Sequence, residues 1–408
     1  MEFHKLDNIG TFYASTSMKE HQDVFRFSVT LTEDVDKSTL VKALKTTRSA
    51  FPSFNSSLKS GLFWYYLEEE DKLPEVKEED LPICHRMDTY TDEILYRVSY
   101  YKNRLNLEVS HIVSDGRGTL EFFTSLVENY LALKYKIKGI DNQFKASITE
   151  REEDSFDKYY EKSAKPIKNK GKIYNLTGKE IKNHKVRFIE MHMNTASVIA
   201  LSKKNDCSMT SFLTAVLIRS ILRTMKYKDK GTIVKIAVPV DLRSYYYSKT
   251  VKNFFGIVYV SYTYNGEVDS TETIIKSVSE QLTESLKKEN VNKRSNQMFS
   301  IVTNVVVRSI PLVVKNIGLY FIDKITSKAC TTNISNLGRI TFNEKVEKYI
   351  KGIALLTNSD GLNFVVSSYK DDLCISASTV FNKNNVLNYF LQELKSNGIE
   401  ISIATNGV

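Results

Sequence analysis

Val109-Ser110-His111-Ile112-Val113-Ser114-Asp115-Gly116 is the stretch on which the fold turns. Just ahead of it Leu105, Leu107 and Val109 alternate with Asn106, Glu108 and Ser110, the period of a half-buried strand. His111 therefore shares a face with three apolar residues at the strand's end. Asp115 follows four residues later, and Gly116 offers the φ > 0 freedom that a sharp turn needs. From Thr119 onward Leu120, Phe123, Val127, Tyr130 and Leu131 recur at helical spacing. An inward-facing imidazole on a strand-to-helix corner, with a carboxylate close by, suits a general base. It equally suits a strand-end histidine satisfied by a backbone carbonyl. A His-x-x-x-Asp-Gly match also arises by chance in a chain of this length on the order of a few per cent of the time, so the corner alone leaves both readings open.

Toward the amino terminus, Ile94 to Tyr100 reads as the preceding strand, turned by Lys102-Asn103, and Val24 to Leu31 as another. Ser38 to Ala50 reads as a helix with Ser38 as its N-cap. Phe54 to Lys59 and Leu62 to Leu67 read as a hairpin through Ser60-Gly61, its second strand carrying the aromatic run Phe63-Trp64-Tyr65-Tyr66. Toward the carboxyl terminus, apolar periodicity fades from Asp141 to Lys182, where Pro, Gly and lysines accumulate. The expected organisation is an amino-terminal lobe over 1–165, a linker over 166–182 and a carboxyl-terminal lobe over 183–408. The second half alternates strands (184–193, 232–240, 254–262, 331–340, 353–357, 363–369, 373–379) with helices (195–204, 210–225, three between 269 and 327, and 384–395). Hairpins mixed with helices in both halves predict an α+β fold.

Composition narrows the chemistry. The 408 residues are 42% hydrophobic and 26% charged, an ordinary globular balance that can bury a sizeable core. The net charge of +9 comes from lysines spread along the whole chain, which reads as solubility or attraction of anionic ligands, not as a nucleic-acid footprint. Cys84, Cys207, Cys330 and Cys374 are scattered without a CxxC pair, which points to a reducing compartment and away from disulfides or a cysteine-rich zinc site. The first residues show no charged-then-apolar signal pattern, and the most apolar run, Ile301 to Ile322, is interrupted by Asn304, Arg308, Pro311, Lys315 and Asn316. A cytoplasmic protein without a transmembrane segment is expected. His184 and His192 share a strand face around Glu190, yet eight extended residues set them too far apart for one metal ion. Phosphate loops of the Walker or dinucleotide type and the G-x-S-x-G elbow are absent from the sequence. Ser114 lies too near His111, across a turn, to serve as its nucleophile. An enzyme built on His111 would activate its substrate's own hydroxyl, amine or thiol.

The segment SHIVSDG (110–116) resembles the H-H-x-x-x-D-G motif of the chloramphenicol acetyltransferase-like superfamily, which includes condensation domains and alcohol acetyltransferases. Further blocks stand in the same order: FPSFNSSLKSGLFWYYLE (51–68), PVDLRSYYYSKTVKNFFG (239–256) and SNLGRI (335–340). Together they look most like the bacterial alcohol acetyltransferase-like branch. The resemblance implies two related lobes with an active-site tunnel between them and direct acyl transfer without an acyl-enzyme. The donor would be an acyl-CoA cosubstrate, with no bound cofactor and no metal, and the acceptor a small alcohol or amine. It implies His111 as the base, Asp115 as a structural brace paired to Arg243, Gly116 as the motif turn, and Asn253, Gly256, Ser335 and Asn336 beside the tunnel. Ser110 stands where the family's first histidine lies, on the strand face opposite His111. Two alternatives are a condensation-type enzyme fed by a separate carrier protein and an inactive scaffold of the same fold.

Overall fold

The β-rich stretches assemble into three sheets in a computed structural model that describes residues 3–16, 24–140, 145–159, 171–303, 310–326 and 328–408, without the side chains of 184, 298–303 and 320–326. The motif strand lies inside a five-stranded sheet of order β12 (Ile350–Thr357), β2 (Val24–Leu31), β7 (Arg104–Ser110), β6 (Tyr96–Tyr101), β5 (Lys77–Glu78). β2 is antiparallel to both β12 and β7, with Phe25 opposite Val109 and Phe27 opposite Leu107. Leu105, Leu107, Val109 and Phe27 share one core with Phe122, Phe123 and Leu126 of the helix Gly116–Tyr135. The other face of β7 is buried as well, where the alternation predicted solvent. Its polar side chains are satisfied internally: Arg26 donates to Glu108 at 2.9 and 2.6 Å, Arg97 donates to it at 3.1 Å, and Ser28 donates to Asn106 at 2.7 Å. Polar residues on a strand thus mark a paired network here, since a buried charge is tolerated only when paired.

The second sheet has seven strands in the order β10 (Phe255–Thr263), β9 (Ile233–Asp241), β11 (Thr332–Arg339), β13 (Leu362–Tyr369), β14 (Asp372–Thr379), β8 (Arg187–Asn194), β15 (Ser402–Thr405). β11 runs parallel to both neighbours and the remaining pairs are antiparallel. Phe212, Ile218, Ile274 and Phe390, from three flanking helices, close its core over Ile236, Phe364 and Ile375. A small sheet of β1 (Phe3–Lys5), β4 (Tyr65–Glu69) and β3 (Ser56–Ser60) completes the fold. The architecture is α+β with two sheet-rich lobes. The chain crosses between them: β12, in the half assigned to the carboxyl-terminal lobe, pairs with β2 of the first sheet. Of the expected linker, 166–170 lie outside the described residues, while Ile173 and Glu180 bridge to Ile233 and Phe381.

Local differences have local causes. The motif helix begins at Gly116 instead of Thr119, because Asp115 caps it by accepting the Gly118 N–H at 2.7 Å. Asp36, not Ser38, caps Lys37–Arg48, accepting the Thr39 N–H. The hairpin turn spans 61–64, longer than Ser60-Gly61, and leaves Phe63 and Trp64 at an exposed tip. Among the described residues no helix is long and apolar enough to cross a membrane; 304–309 lie outside them.

One polar chain joins the two large sheets. Arg104 of β7 donates to both Glu190 oxygens of β8, at 3.1 and 2.5 Å, His192 Nε2 lies 3.6 Å from Glu190, and His192 Nδ1 lies 2.9 Å from Asp372 of β14. Although burial opposes ionisation, the bonds from His192 and Arg104 pull the Glu190 carboxyl down to about 2. Asp372, then Cys374 and Glu190, push His192 up to about 12. Glu190 titrates lower in the folded than in the unfolded chain, so its contribution is complete above about pH 4.5 and is lost as pH falls toward 2. We expect Glu190→Gln to cost roughly 2–3 kcal/mol at pH 7 in urea unfolding, the difference from wild type shrinking as pH drops. A difference that stays constant from pH 7 to 3 would contradict this assignment.

Candidate active site

β7 ends at Ser110, where the Ser110 Oγ accepts the Ile112 N–H at 3.3 Å and the chain turns toward the motif helix. The turn delivers His111 to the wall of a cavity of about 1310 Å³ between the two large sheets. Phe25 and Phe27 of β2 and Leu355 of β12 line it from one side; Pro239, Ile257 and Tyr259 of the second sheet line it from the other. The imidazole packs against Tyr13 (ring centroids 4.9 Å apart, 21° between planes) and Phe25 (4.4 Å, 44°). Its Nδ1 is buried with no hydrogen-bond partner among the described residues. Burial pushes the ring down to about 4, against the pull of the Asp115 carboxylate, so at neutral pH it is uncharged and able to accept a proton.

Asp115 and Arg243 are brought together. Arg243 grips the carboxylate with two bonds, Nη1 to Oδ2 at 3.0 Å and Nη2 to Oδ1 at 3.2 Å. The same guanidinium donates to Asp241 and to the carbonyls of Thr250 and Lys252, and the Phe254 N–H donates to Asp115 at 2.7 Å. Burial disfavours the Arg243 charge, but Asp115 and Asp241 outweigh it and hold the guanidinium protonated. Asp115 thus clamps the start of the motif helix to the loop after β9.

Gly116 differs from expectation: its φ is not positive, and it is the first helical residue. Its small size matters instead, because a Cβ there would lie 3.2 Å from Leu337. Gly118 is tighter still, with a Cβ position 2.0 Å from the Val251 carbonyl oxygen. Alanine normally stabilises a helix by about 1 kcal/mol relative to glycine. Gly118→Ala should reverse that sign and lower the urea midpoint by the equivalent of about 1–3 kcal/mol with an unchanged m-value. An unchanged or raised midpoint would show that the approach is not tight.

Ser335 and Asn336 line the cavity, whereas Asn253 and Gly256 are not among its lining residues. Asn253 sits behind the wall: its amide donates to the His111 carbonyl at 2.9 Å and to Asp7 at 3.0 Å. Gly256 lies on β10, where a Cβ would come within 3.0 Å of the Ser295 hydroxyl and 3.3 Å of Leu242. The sequence reading assigned no role to Tyr13, Phe25 or Asp7. Phe25 could have been found from strand pairing, since it stands on β2 opposite Val109, two residues before His111. Tyr13 lies on, and Asp7 caps, a short helix, Asn8–Thr16, that carries Gly10, Thr11 and Thr16 and has little local helical signal. Among the described residues no cluster of three or more His, Cys, Asp or Glu side chains is placed to hold a metal ion.

Residues 182–376 match the family model described as phthiocerol/phthiodiolone dimycocerosyl transferase C-terminus. No curated protein matches the chain in sequence. Among solved structures it is similar to F. graminearum TRI101 complexed with coenzyme A and T-2 mycotoxin (TM-score 0.68, 10% identity, 98% of this chain and 100% of that one). It is also similar to the first condensation domain of the calcium-dependent antibiotic synthetase (0.64, 12%, 97% and 96%). A third is polyketide synthase associated protein 5 from Mycobacterium tuberculosis (0.60, 12%, 94% and 96%). Identities this low speak for the fold. The family match thus lies within the carboxyl-terminal part, and over nearly its whole length the chain has the two-lobed chloramphenicol acetyltransferase-like fold of these structures.

Proposed function

We propose that this protein is an acyl-CoA-dependent O-acyltransferase of the alcohol acetyltransferase-like branch, working in the cytoplasm with His111 as general base. The observation that carries the reading is the uncharged His111 imidazole on the wall of a large cavity between the two lobes. Its Nε2 takes the proton from an acceptor hydroxyl as that oxygen attacks the thioester carbonyl. The tetrahedral intermediate then collapses, the C–S bond breaks, and the leaving thiolate recovers the proton from the imidazolium. Direct transfer of this kind needs no covalent enzyme intermediate. An imidazolium held among aromatic rings is costly alone, and the oxyanion forming beside it offsets that cost by Coulomb attraction.

Ser110, in place of the first motif histidine, leaves the base intact: its hydroxyl is occupied by the turn. Ser335 and Asn336 would touch substrate; Asn253 and Gly256 would support the wall. A second reading keeps the base but draws the acyl group from a separate carrier protein, favoured by the likeness to a condensation domain.

The test is thiol release from acetyl-CoA and longer acyl-CoAs over a panel of alcohols and amines, beside an acylated carrier protein. Release dependent on His111 with an acyl-CoA supports the proposal. Release only from the carrier selects the second reading. Silence on every donor together with absent coenzyme A binding by calorimetry favours an inactive scaffold.

A further inference from the structure

The short helix Asn8–Thr16 is tied to the motif turn by its capping residue. Asp7 is buried and accepts the Gly10 N–H at 2.6 Å, the Asn253 backbone N–H at 3.1 Å and the Asn253 amide at 3.0 Å. That same Asn253 amide donates to the His111 carbonyl at 2.9 Å. The helix backbone lies directly on the turn, for a Cβ on Gly10 would be 2.5 Å from the Ile112 carbonyl oxygen. About one turn further on, Tyr13 lays its ring on the His111 imidazole, and the neighbouring Phe12 also reaches the cavity.

We propose that this helix is a working part of the site: Asp7 and Tyr13 are positioning residues that set the place and tilt of the His111 ring, Asp7 through Asn253 and the His111 carbonyl, Tyr13 by stacking. The proposal rests on the reading of His111 as the base. The Asn253 side chain and the Ser114 backbone act on the imidazole as hydrogen-bonding neighbours, while Nδ1 makes no well-formed hydrogen bond among the described residues. Orientation therefore rests on ring packing, on the backbone at position 111 and on these polar neighbours, Asn253 among them. A base held largely by packing is sensitive to the rings around it, since misplacement of about 1 Å can cost about 100-fold in rate. Tyr13 also keeps water from one part of the ring, so its removal should make the imidazole easier to protonate.

The experiment uses the full chain with ¹³C-labelled histidine, the His111 resonance being identified by its loss in His111→Asn. In wild type it should titrate near 4. Tyr13→Phe should leave that midpoint in place, whereas Tyr13→Leu should move it up toward the ordinary histidine value of about 6.5. Asp7→Asn, which puts an amide against the Asn253 amide, should shift the His111 signal while circular dichroism stays native. In turnover, Tyr13→Leu should lose about 10- to 100-fold in kcat with little change in KM, and Tyr13→Phe should restore it. If Tyr13→Leu fails to fold, Asp7→Asn decides alone. A His111 signal and midpoint indifferent to every folded variant would overturn the proposal. Because the titration needs no substrate, inactivity on all donors would count against the acyltransferase reading and leave the positioning result standing.

Discussion

Asp115→Ala is expected to cost about 3–5 kcal/mol of stability, the range found when one member of a buried ion pair is removed. The Arg243 guanidinium would lose its two-pronged partner and keep only Asp241 and backbone carbonyls. Two backbone donors would also be orphaned: the Gly118 N–H that Asp115 caps and the Phe254 N–H that it receives from the loop after Arg243. Loss of the cap accounts for about 1 kcal/mol of the total. Asp115→Asn separates the roles, because an amide oxygen still caps the helix but offers one acceptor and no charge. Arg243→Lys keeps the charge and loses the fork. Combining Asp115→Asn with Arg243→Lys should give a coupling of about 1–3 kcal/mol in urea unfolding, because both changes break the same pair of bonds. Additive costs would mean that the two residues act separately. The pair stands one turn from His111, so activity should fall together with stability, mainly in kcat, as the corner loses its clamp.

The corner itself was legible because its parts are local. Alternation over 105–109, a histidine at the strand's end, a carboxylate four residues on and a helical period beyond are all readable within about thirty residues, and the structure builds that corner with only its first helical turn moved. Asp115 and Arg243 lie 128 positions apart; the ordered family blocks, not any local period, pointed to them as partners. What stayed hidden depends on packing between elements. A strand with polar residues at every second position ordinarily faces water, and nothing in 104–110 says that Arg26, Arg97 and Ser28 will cover that face. β12 pairs with β2 across more than 300 residues, a contact that hydropathy cannot foresee. Gly116 reads as a turn residue because glycine breaks helices in isolation, whereas here its missing side chain lets Leu337 approach, as that of Gly118 does the Val251 carbonyl. Tyr13 escaped notice for the same reason: its value lies in which ring it meets.

His111→Ala should lower kcat/KM by about 100- to 10,000-fold, the span ordinarily carried by a general base, while coenzyme A binding measured by calorimetry is retained. The pH profile separates this from mere damage. With the free-enzyme imidazole held near 4 by burial, wild-type kcat/KM should be flat through neutrality and fall with a single proton below about pH 5. The variant's residual rate should lack that limb. Stability carries the same signature independently of turnover. An imidazole that titrates near 4 in the folded chain and near 6.5 in the unfolded one binds its proton more readily when unfolded. The native state is thus unaffected above about pH 6.5 and is penalised progressively as pH falls toward 4. Fully realised, that penalty is roughly 3 kcal/mol; because the ring is partly open to the cavity, about 2 kcal/mol is the expected value. His111→Ala removes the titrating group, so the unfolding free energies of wild type and variant should converge by about that amount between pH 7 and pH 4. Parallel curves over this range would mean that the imidazole is solvated like an ordinary surface histidine, and a base of ordinary strength would then have to be written into the reaction in place of the buried one.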